Sequence, residues 1–162
     1  MRRGGGNGDT DGGAGDAVAI YVGSPGDPAT NGVTVSLMLQ GQAQDTGQGF
    51  DTLTSIMGVA GTNFDDQLTG DGLFNMLNGV SGDDLLQGLG GDDALRGAAG
   101  QDTVLGGDGD DVVSGGTGDD TVDGGAGRNR VSYFSIGPDP ASEGGTVSLL
   151  QLGQGQDTGG QG

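Results

Sequence analysis

Asp84, Asp93, Asp102, Asp111 and Asp120 recur at every ninth residue, each in the same setting. Glycine stands two positions before each of them, at Gly82, Gly91, Gly100, Gly109 and Gly118. An aliphatic residue stands two positions after, at Leu86, Leu95, Val104, Val113 and Val122. A further glycine opens each unit at Gly79, Gly88, Gly97, Gly106 and Gly115. Carboxylates delivered at a fixed pitch among backbone-permissive residues offer anionic oxygen ligands to a hard cation. They offer little to a nucleophilic catalyst: the chain has no His and no Cys, and no GxSxG elbow occurs. Adjacent pairs such as Asp83-Asp84 and Asp110-Asp111 are not acid–base dyads, because neighbours on an extended turn point apart.

The elements that position these carboxylates are nonapeptides. Five regular units run from Gly79 to Asp123. Two degraded copies precede them, Gly61–Thr69 and Gly70–Asn78, and one follows, Gly124–Ser132. In the degraded copies Phe64 or Leu73 replaces the fourth-position glycine, and Asn75 or Asn129 replaces the sixth-position Asp, as suits capping turns. A nonapeptide divides into a six-residue glycine-containing turn and a three-residue strand that buries one aliphatic side chain. If two nonapeptides make one coil, residues 18 apart stack about 4.8 Å from each other. The expected architecture is all-β: a parallel β-roll or β-solenoid of nonapeptide repeats, with β-strand spacer segments.

That stacking predicts two columns, Asp66, Asp84, Asp102, Asp120 and Asn75, Asp93, Asp111, Asn129, on opposite edges. Between them run two aliphatic ladders, Leu68, Leu86, Val104, Val122 and Leu77, Leu95, Val113, Val131. Stacked carboxylates repel unless a cation lies between them. Mg²⁺ prefers strict octahedral geometry and keeps its waters, and Zn²⁺ would want His or Cys, which leaves Ca²⁺. Pairing at 18-residue separation gives six candidate sites: Asp84/Asp102, Asp102/Asp120, Asp93/Asp111, Asp66/Asp84, and one each through Asn75 and Asn129. Six calcium ions would take the formal charge of −18 to about −6.

Composition agrees with a metal-dependent fold. Of 162 residues, 41 are Gly and only six are aromatic, too thin a stock for a conventional core. The basic residues are five Arg, and every acidic residue but Glu143 is Asp. A polyanion of this kind repels nucleic acid and anionic membranes. No apolar run approaches membrane-spanning length, so no membrane insertion by this segment is expected. At about tenfold calcium excess each site contributes ~1.4 kcal/mol, so four to six sites give ~6–8 kcal/mol. That is about the whole stability of a small domain. The expectation is a chain that folds on calcium binding.

A longer repeat overlies the short one. Aligned without gaps, Gly12–Phe50 matches Gly124–Gly162 at 19 of 39 positions. Tyr21 falls on Tyr133, and Val33–Gly47 returns as Gly145–Gly159. The chain is therefore read as a piece of a tandem array. Residues 1–20 end a preceding block, 21–60 form a spacer with short strands, 61–132 form the nonapeptide roll, and 133–162 begin the next spacer. Within the spacers, Val33–Leu37 and Thr146–Leu149 alternate in the strand period, Leu53–Met57 starts the next solenoid turn, and Pro25, Pro28, Pro138 and Pro140 mark turns.

Gly79–Ser132 resembles the hemolysin-type calcium-binding (RTX) repeat family, and Gly106–Asp123 is nearest its consensus. The flanks look like spacers between such blocks in large secreted bacterial proteins. The resemblance implies a parallel β-roll with calcium between stacked turns and type I secretion without an N-terminal signal peptide. It also implies side-chain ligation by Asp84, Asp93, Asp102, Asp111 and Asp120, completed by backbone of the paired loop glycines 79/82, 88/91, 97/100, 106/109 and 115/118; Asp66 joins these candidate ligands through its pairing with Asp84. Expected partners are calcium ions and neighbouring repeats of the parent chain, besides any glycan or surface ligand. The expected function is a non-catalytic structural module of a secreted or surface protein; the alternative is the non-catalytic appendage of a secreted protease, lipase or polysaccharide epimerase. Other motifs fail: Asp119-x-Thr121-x-Asp123-Gly124 mimics an EF-hand loop, but its twelfth position is Arg130 instead of Glu.

Overall fold

Leu86 pairs with Leu68 on one side and Val104 on the other, each two nonapeptides away and in parallel register. That relationship generates the molecule. The computed structural model describes residues 2–3, 8–13, 17–21, 31–132 and 146–147. Its strands are β1 (Arg2–Arg3), β2 (Gly8–Asp11), β3 (Val18–Ile20), β4 (Thr34–Ser36), β5 (Ala43–Asp45), β6 (Phe50–Thr54), β7 (Gly58–Ala60) and β8 (Gln67–Thr69). They continue with β9 (Met76–Asn78), β10 (Leu85–Gly90), β11 (Ala94–Ala99), β12 (Thr103–Asp108), β13 (Val112–Thr117), β14 (Thr121–Ala126), β15 (Arg130–Val131) and β16 (Thr146–Val147). Among the described residues a single 3₁₀ turn, Leu37–Leu39, interrupts them.

The strands fall alternately into two parallel sheets. One runs β1-β3-β7-β9-β11-β13-β15, the other β16-β14-β12-β10-β8-β4. Two nonapeptides thus make one coil, as the sequence predicts, and the chain is a β-solenoid. The two aliphatic ladders face each other inside it. Leu68, Leu77, Leu86, Leu95, Val104, Val113 and Val122 are all buried, and Val131 packs against them. Each such burial is worth roughly 1.5–3 kcal/mol. The ladders extend toward the N-terminus through Val35, paired with Leu68, and through Val59 and Ala19, paired in series with Leu77.

The strands of the regular coils are longer than the sequence reading expects. β10 to β14 each hold six residues, whereas β8 and β9 in the degraded repeats hold three. The register explains the difference: Leu85, Leu86 and Gln87 pair with the next coil, Gly88 is skipped, and Leu89 and Gly90 pair again. The glycine kinks the backbone at the coil's corner, and the ladder resumes beyond it.

A third sheet, β2-β6-β5, joins two strands of the spacer to β2 from the segment before it. In it β5 runs antiparallel to β6, with Gln44 opposite Asp51. Glutamine side chains tie this sheet to the coil by imitating peptide groups. The Gln44 amide accepts the Ser36 N–H at 2.8 Å and donates to its C=O at 3.1 Å, and Gln40 does the same for Ile56 at 2.9 and 2.8 Å. The prolines of both spacers, and Ser148–Leu149 of the expected second spacer strand, lie outside the described residues. Among the described residues no helix is long and apolar enough to cross a membrane.

Candidate metal centre

The coil of two nonapeptides puts Asp66, Asp84, Asp102 and Asp120 on one edge of the solenoid and Asn75, Asp93, Asp111 and Asn129 on the other. All but Asn129 are buried. Their side chains do not face one another as bare carboxylates. The backbone N–H of Asp84 donates to Oδ1 of Asp102 at 2.9 Å, and that of Asp102 to Oδ1 of Asp120 at 3.0 Å. Asp66 donates likewise to Asp84 at 2.8 Å, Asn75 to Asp93 at 2.7 Å, Asp93 to Asp111 at 2.8 Å, and Asp111 to Asn129 at 2.9 Å. One oxygen of Asp84, Asp93, Asp102, Asp111, Asp120 and Asn129 is thereby spent on joining coils.

The second oxygen separates the residues into two kinds. Oδ2 of Asp84, Asp93, Asp102 and Asp111 is buried and has no hydrogen-bond partner. Leaving a charged oxygen so costs several kcal/mol unless a proton or a cation meets it. Asp66, also expected as a ligand, is different: its Oδ1 accepts Val33 N–H at 2.7 Å and the Thr62 hydroxyl at 3.0 Å, and its Oδ2 accepts Thr62 N–H at 2.6 Å. The carboxylate is fully committed. Asn75 is likewise saturated, accepting Asp71 N–H at 2.7 Å and donating to the Phe74 carbonyl at 3.1 Å. Asn129 donates to the Gly125 carbonyl at 3.0 Å. Asp120, at 6% exposure, stands at the edge of the array.

The residue after the first glycine makes this difference. In the degraded repeats Thr62 and Asp71 aim their N–H groups at the sixth-position side chain. In the five regular repeats that residue has positive φ, from +79° to +123° at Val80, Leu89, Ala98, Gly107 and Gly116, and Gly125 of the trailing degraded copy shares it at +75°. The Val80 N–H then reaches the Gly97 carbonyl of the next coil at 3.1 Å and leaves Asp84 Oδ2 alone. Val, Leu and Ala rarely adopt such φ values, and strain of this kind is characteristic of functional sites.

The first glycine leaves room beside each orphan oxygen. A methyl group on Gly79 would overlap Asp84 Oδ2 and lie 2.8 Å from the Gly97 carbonyl oxygen. On Gly106 it would overlap Asp111 Oδ2 and lie 2.6 Å from the Gly124 carbonyl oxygen. Gly88, Gly97 and Gly115 stand in the same way against Asp93, Asp102 and Asp120. The fourth glycines serve close packing instead. Gly82, Gly91, Gly100, Gly109 and Gly118 all have positive φ, and a methyl there would strike the backbone of the preceding coil.

Burial dominates the electrostatics. It pushes the Asp84 carboxyl up to about 7, opposed by the Asp66 N–H and reinforced by the Asp66 and Asp102 carboxylates. Burial also raises Asp93 and Asp102 to about 6, with Asp111 and Asp120 respectively adding repulsion. Asp66, Asp111 and Asp120 are shifted upward for the same first reason. The donor set is therefore all oxygen, anionic, sheltered and short of counter-charge, which fits a hard divalent cation. Among the described residues no three acidic side chains converge on a point, so carbonyls or water must complete any ion's shell.

Sequence reasoning missed an outer ladder. The exposed carboxylates of Asp65, Asp83, Asp92 and Asp110 accept the backbone N–H groups of Asp83, Gln101, Asp110 and Arg128 at 2.8–2.9 Å, each one coil later. The signal was present as a second acidic position beside the first. It also missed a buried cluster in which Asp51 Oδ2 accepts the Tyr21 hydroxyl at 3.3 Å and the Thr46 hydroxyl at 2.9 Å. No short-range pattern announces that contact.

Nothing among curated proteins matches the chain. The family model for the RTX calcium-binding nonapeptide repeat, which spans four copies, matches residues 69–104 and again residues 96–131. Those matches cover the coils that carry the orphan oxygens. Between residues 69 and 131 the coils therefore match RTX calcium-binding nonapeptide repeats.

Proposed function

We propose that this chain is a non-catalytic structural module of a large secreted or surface protein, folded by calcium outside the cell. The carrying observation is the set of four buried, partnerless Oδ2 atoms on Asp84, Asp93, Asp102 and Asp111. Calcium would be held there, one ion to each oxygen, with Asp120 offering a further position at the open end. The carbonyls of first glycines such as Gly97 and Gly124, close to the space beside Gly79 and Gly106, are the natural additional donors. Bound calcium supplies the counter-charge that lets the carboxylates stay ionised inside the roll. Asp66, Asn75 and Asn129 act as caps that close the array with protein hydrogen bonds.

Export before folding follows from affinity. Extracellular calcium modules bind at roughly 10⁻⁴–10⁻³ M, far too weakly to fill in a calcium-poor cell interior. The chain would pass out open and close on arrival, consistent with the type I route implied by the family resemblance. Far-UV circular dichroism in chelator and then in millimolar calcium tests the reading, with equilibrium dialysis counting ions. The expected result is a calcium-driven gain of β signal and at least four ions per chain. A spectrum and ion count indifferent to calcium would overturn it.

A further inference from the structure

The sheet registers contain the long sequence repeat. From Val18 the seven-stranded sheet steps to Gly58, then to Met76, Ala94, Val112 and Arg130. The first step passes over the spacer, and each of the other four is a single coil of two nonapeptides. Together they carry Val18 onto Arg130, the same displacement that carries Gly12 onto Gly124 in the sequence repeat. Strand β15 is thus the second-copy counterpart of β3. The length by which the first step exceeds a coil is taken up by the spacer that carries β4, β5 and β6. One sequence unit advances this sheet by five rungs, about 24 Å at sheet spacing.

The two copies differ in what lies beyond them. Strand β3 has β7 on its far side, whereas β15 is the last strand of its sheet among the described residues. Around β3 the contacts are specific: Ala17 C=O accepts the Met57 N–H at 2.9 Å, and Tyr21 N–H donates to Ala60 C=O at 2.9 Å. The Tyr21 hydroxyl reaches Asp51 at the start of the same segment. The N–H of Arg130 in β15 donates to the Asp111 carbonyl just before β13 at 2.7 Å, and that of Ser132, just after β15, to the Val113 carbonyl at 2.8 Å. By strand alternation the Val131 peptide faces the other way, toward the outer edge.

We propose that the β15 edge is a strand-acceptor site, and that its partner is a segment with the sequence of Asp51–Ala60 from another copy of the same unit. The partner adds as a parallel strand in the β7 position, and its Gly-Val-Ala stretch puts Val59 in line with Val131 as it stands in line with Ala19. Successive units then form one uninterrupted solenoid, with no hinge between them. This inference rests on the calcium-folded roll proposed above.

A synthetic peptide of residues 47–62, titrated into the calcium-loaded chain, tests it by amide hydrogen exchange. The expected result is saturable binding with exchange slowed at least tenfold at Val131 and no change at β1, while a scrambled peptide does nothing. Val131→Pro removes the outward N–H but keeps both neighbouring bonds. It gives up part of the Val131 packing, so its calcium-induced circular dichroism is recorded first, and in the folded variant peptide binding is abolished. The proposal is overturned if the chain shows its calcium response but ignores the peptide, if the scrambled peptide protects equally, or if Val131→Pro binds as before. A chain without any calcium response would instead overturn the calcium-folded reading, and this inference with it.

Discussion

Oδ1 of Asp102 accepts the backbone N–H of Asp84 at 2.9 Å, while Oδ2 of the same carboxylate is buried without a partner. The two oxygens of one residue therefore do different jobs: one joins coils, the other awaits a charge. Replacing Asp102 by Asn keeps the amide-accepting oxygen and removes the charge. The expected outcome is one ion fewer by equilibrium dialysis, with the calcium-loaded β signal largely retained. Asp66→Asn, at a carboxylate already saturated by Val33 and Thr62, should leave the ion count unchanged.

Protons should substitute for calcium. The carboxyls of Asp84, Asp93 and Asp102 are raised to about 7, 6 and 6 in the coil. In the open chain an Asp titrates near 3.9, so between about pH 4 and 7 the metal-free coil binds more protons than the open chain. Stability without metal is therefore fullest below about pH 4 and is lost as pH rises through 6 to 7. The chelated chain should gain β circular dichroism on acidification, and calcium affinity should fall below about pH 6, where protons compete. A chelated chain that gains structure with rising pH would refute this.

Gly106→Ala should cost a site. Gly106 lacks positive φ, so the effect would come from a methyl filling the space between Asp111 Oδ2 and the Gly124 carbonyl. At Gly90 the nearest atom to such a methyl lies at 3.8 Å, so Gly90→Ala serves as the control. Isothermal titration calorimetry should show one calcium lost for the first variant and none for the second.

Val80→Gly should stabilise the roll. Val80 holds φ at +92°, a conformation that costs a β-branched residue of order 1–3 kcal/mol. Glycine adopts it freely but gives back about 0.5–1 kcal/mol through the open chain. A net gain of about 1 kcal/mol, seen as a lower calcium midpoint for folding, is expected. Leu89→Gly and Ala98→Gly, at +79° and +93°, should act in the same direction and by less.

The periodic part of this architecture was legible in the residues. The coil length, both aliphatic ladders and both acidic columns follow from a nine-residue period and the two-face geometry of strands, and each stands where that reasoning puts it. Aperiodic features were not legible. That Asp66 is saturated depends on where one peptide N–H points, and Thr62 differs from Val80 there through backbone conformation, which composition does not encode. The Tyr21–Asp51 contact joins positions far apart across the spacer, and no short-range rule links them. Strand length failed for a related reason: the skipped glycine lets pairing resume beyond the corner.

The register of one coil on the next has an evolutionary corollary. Because each coil meets its neighbour through equivalent pairs, such as Leu86 with Val104 and Val104 with Val122, duplicating a whole coil creates no surface without a ready complement. Such an array can lengthen or shorten by copying errors in its own coding sequence, and every product of that slippage remains a foldable rod.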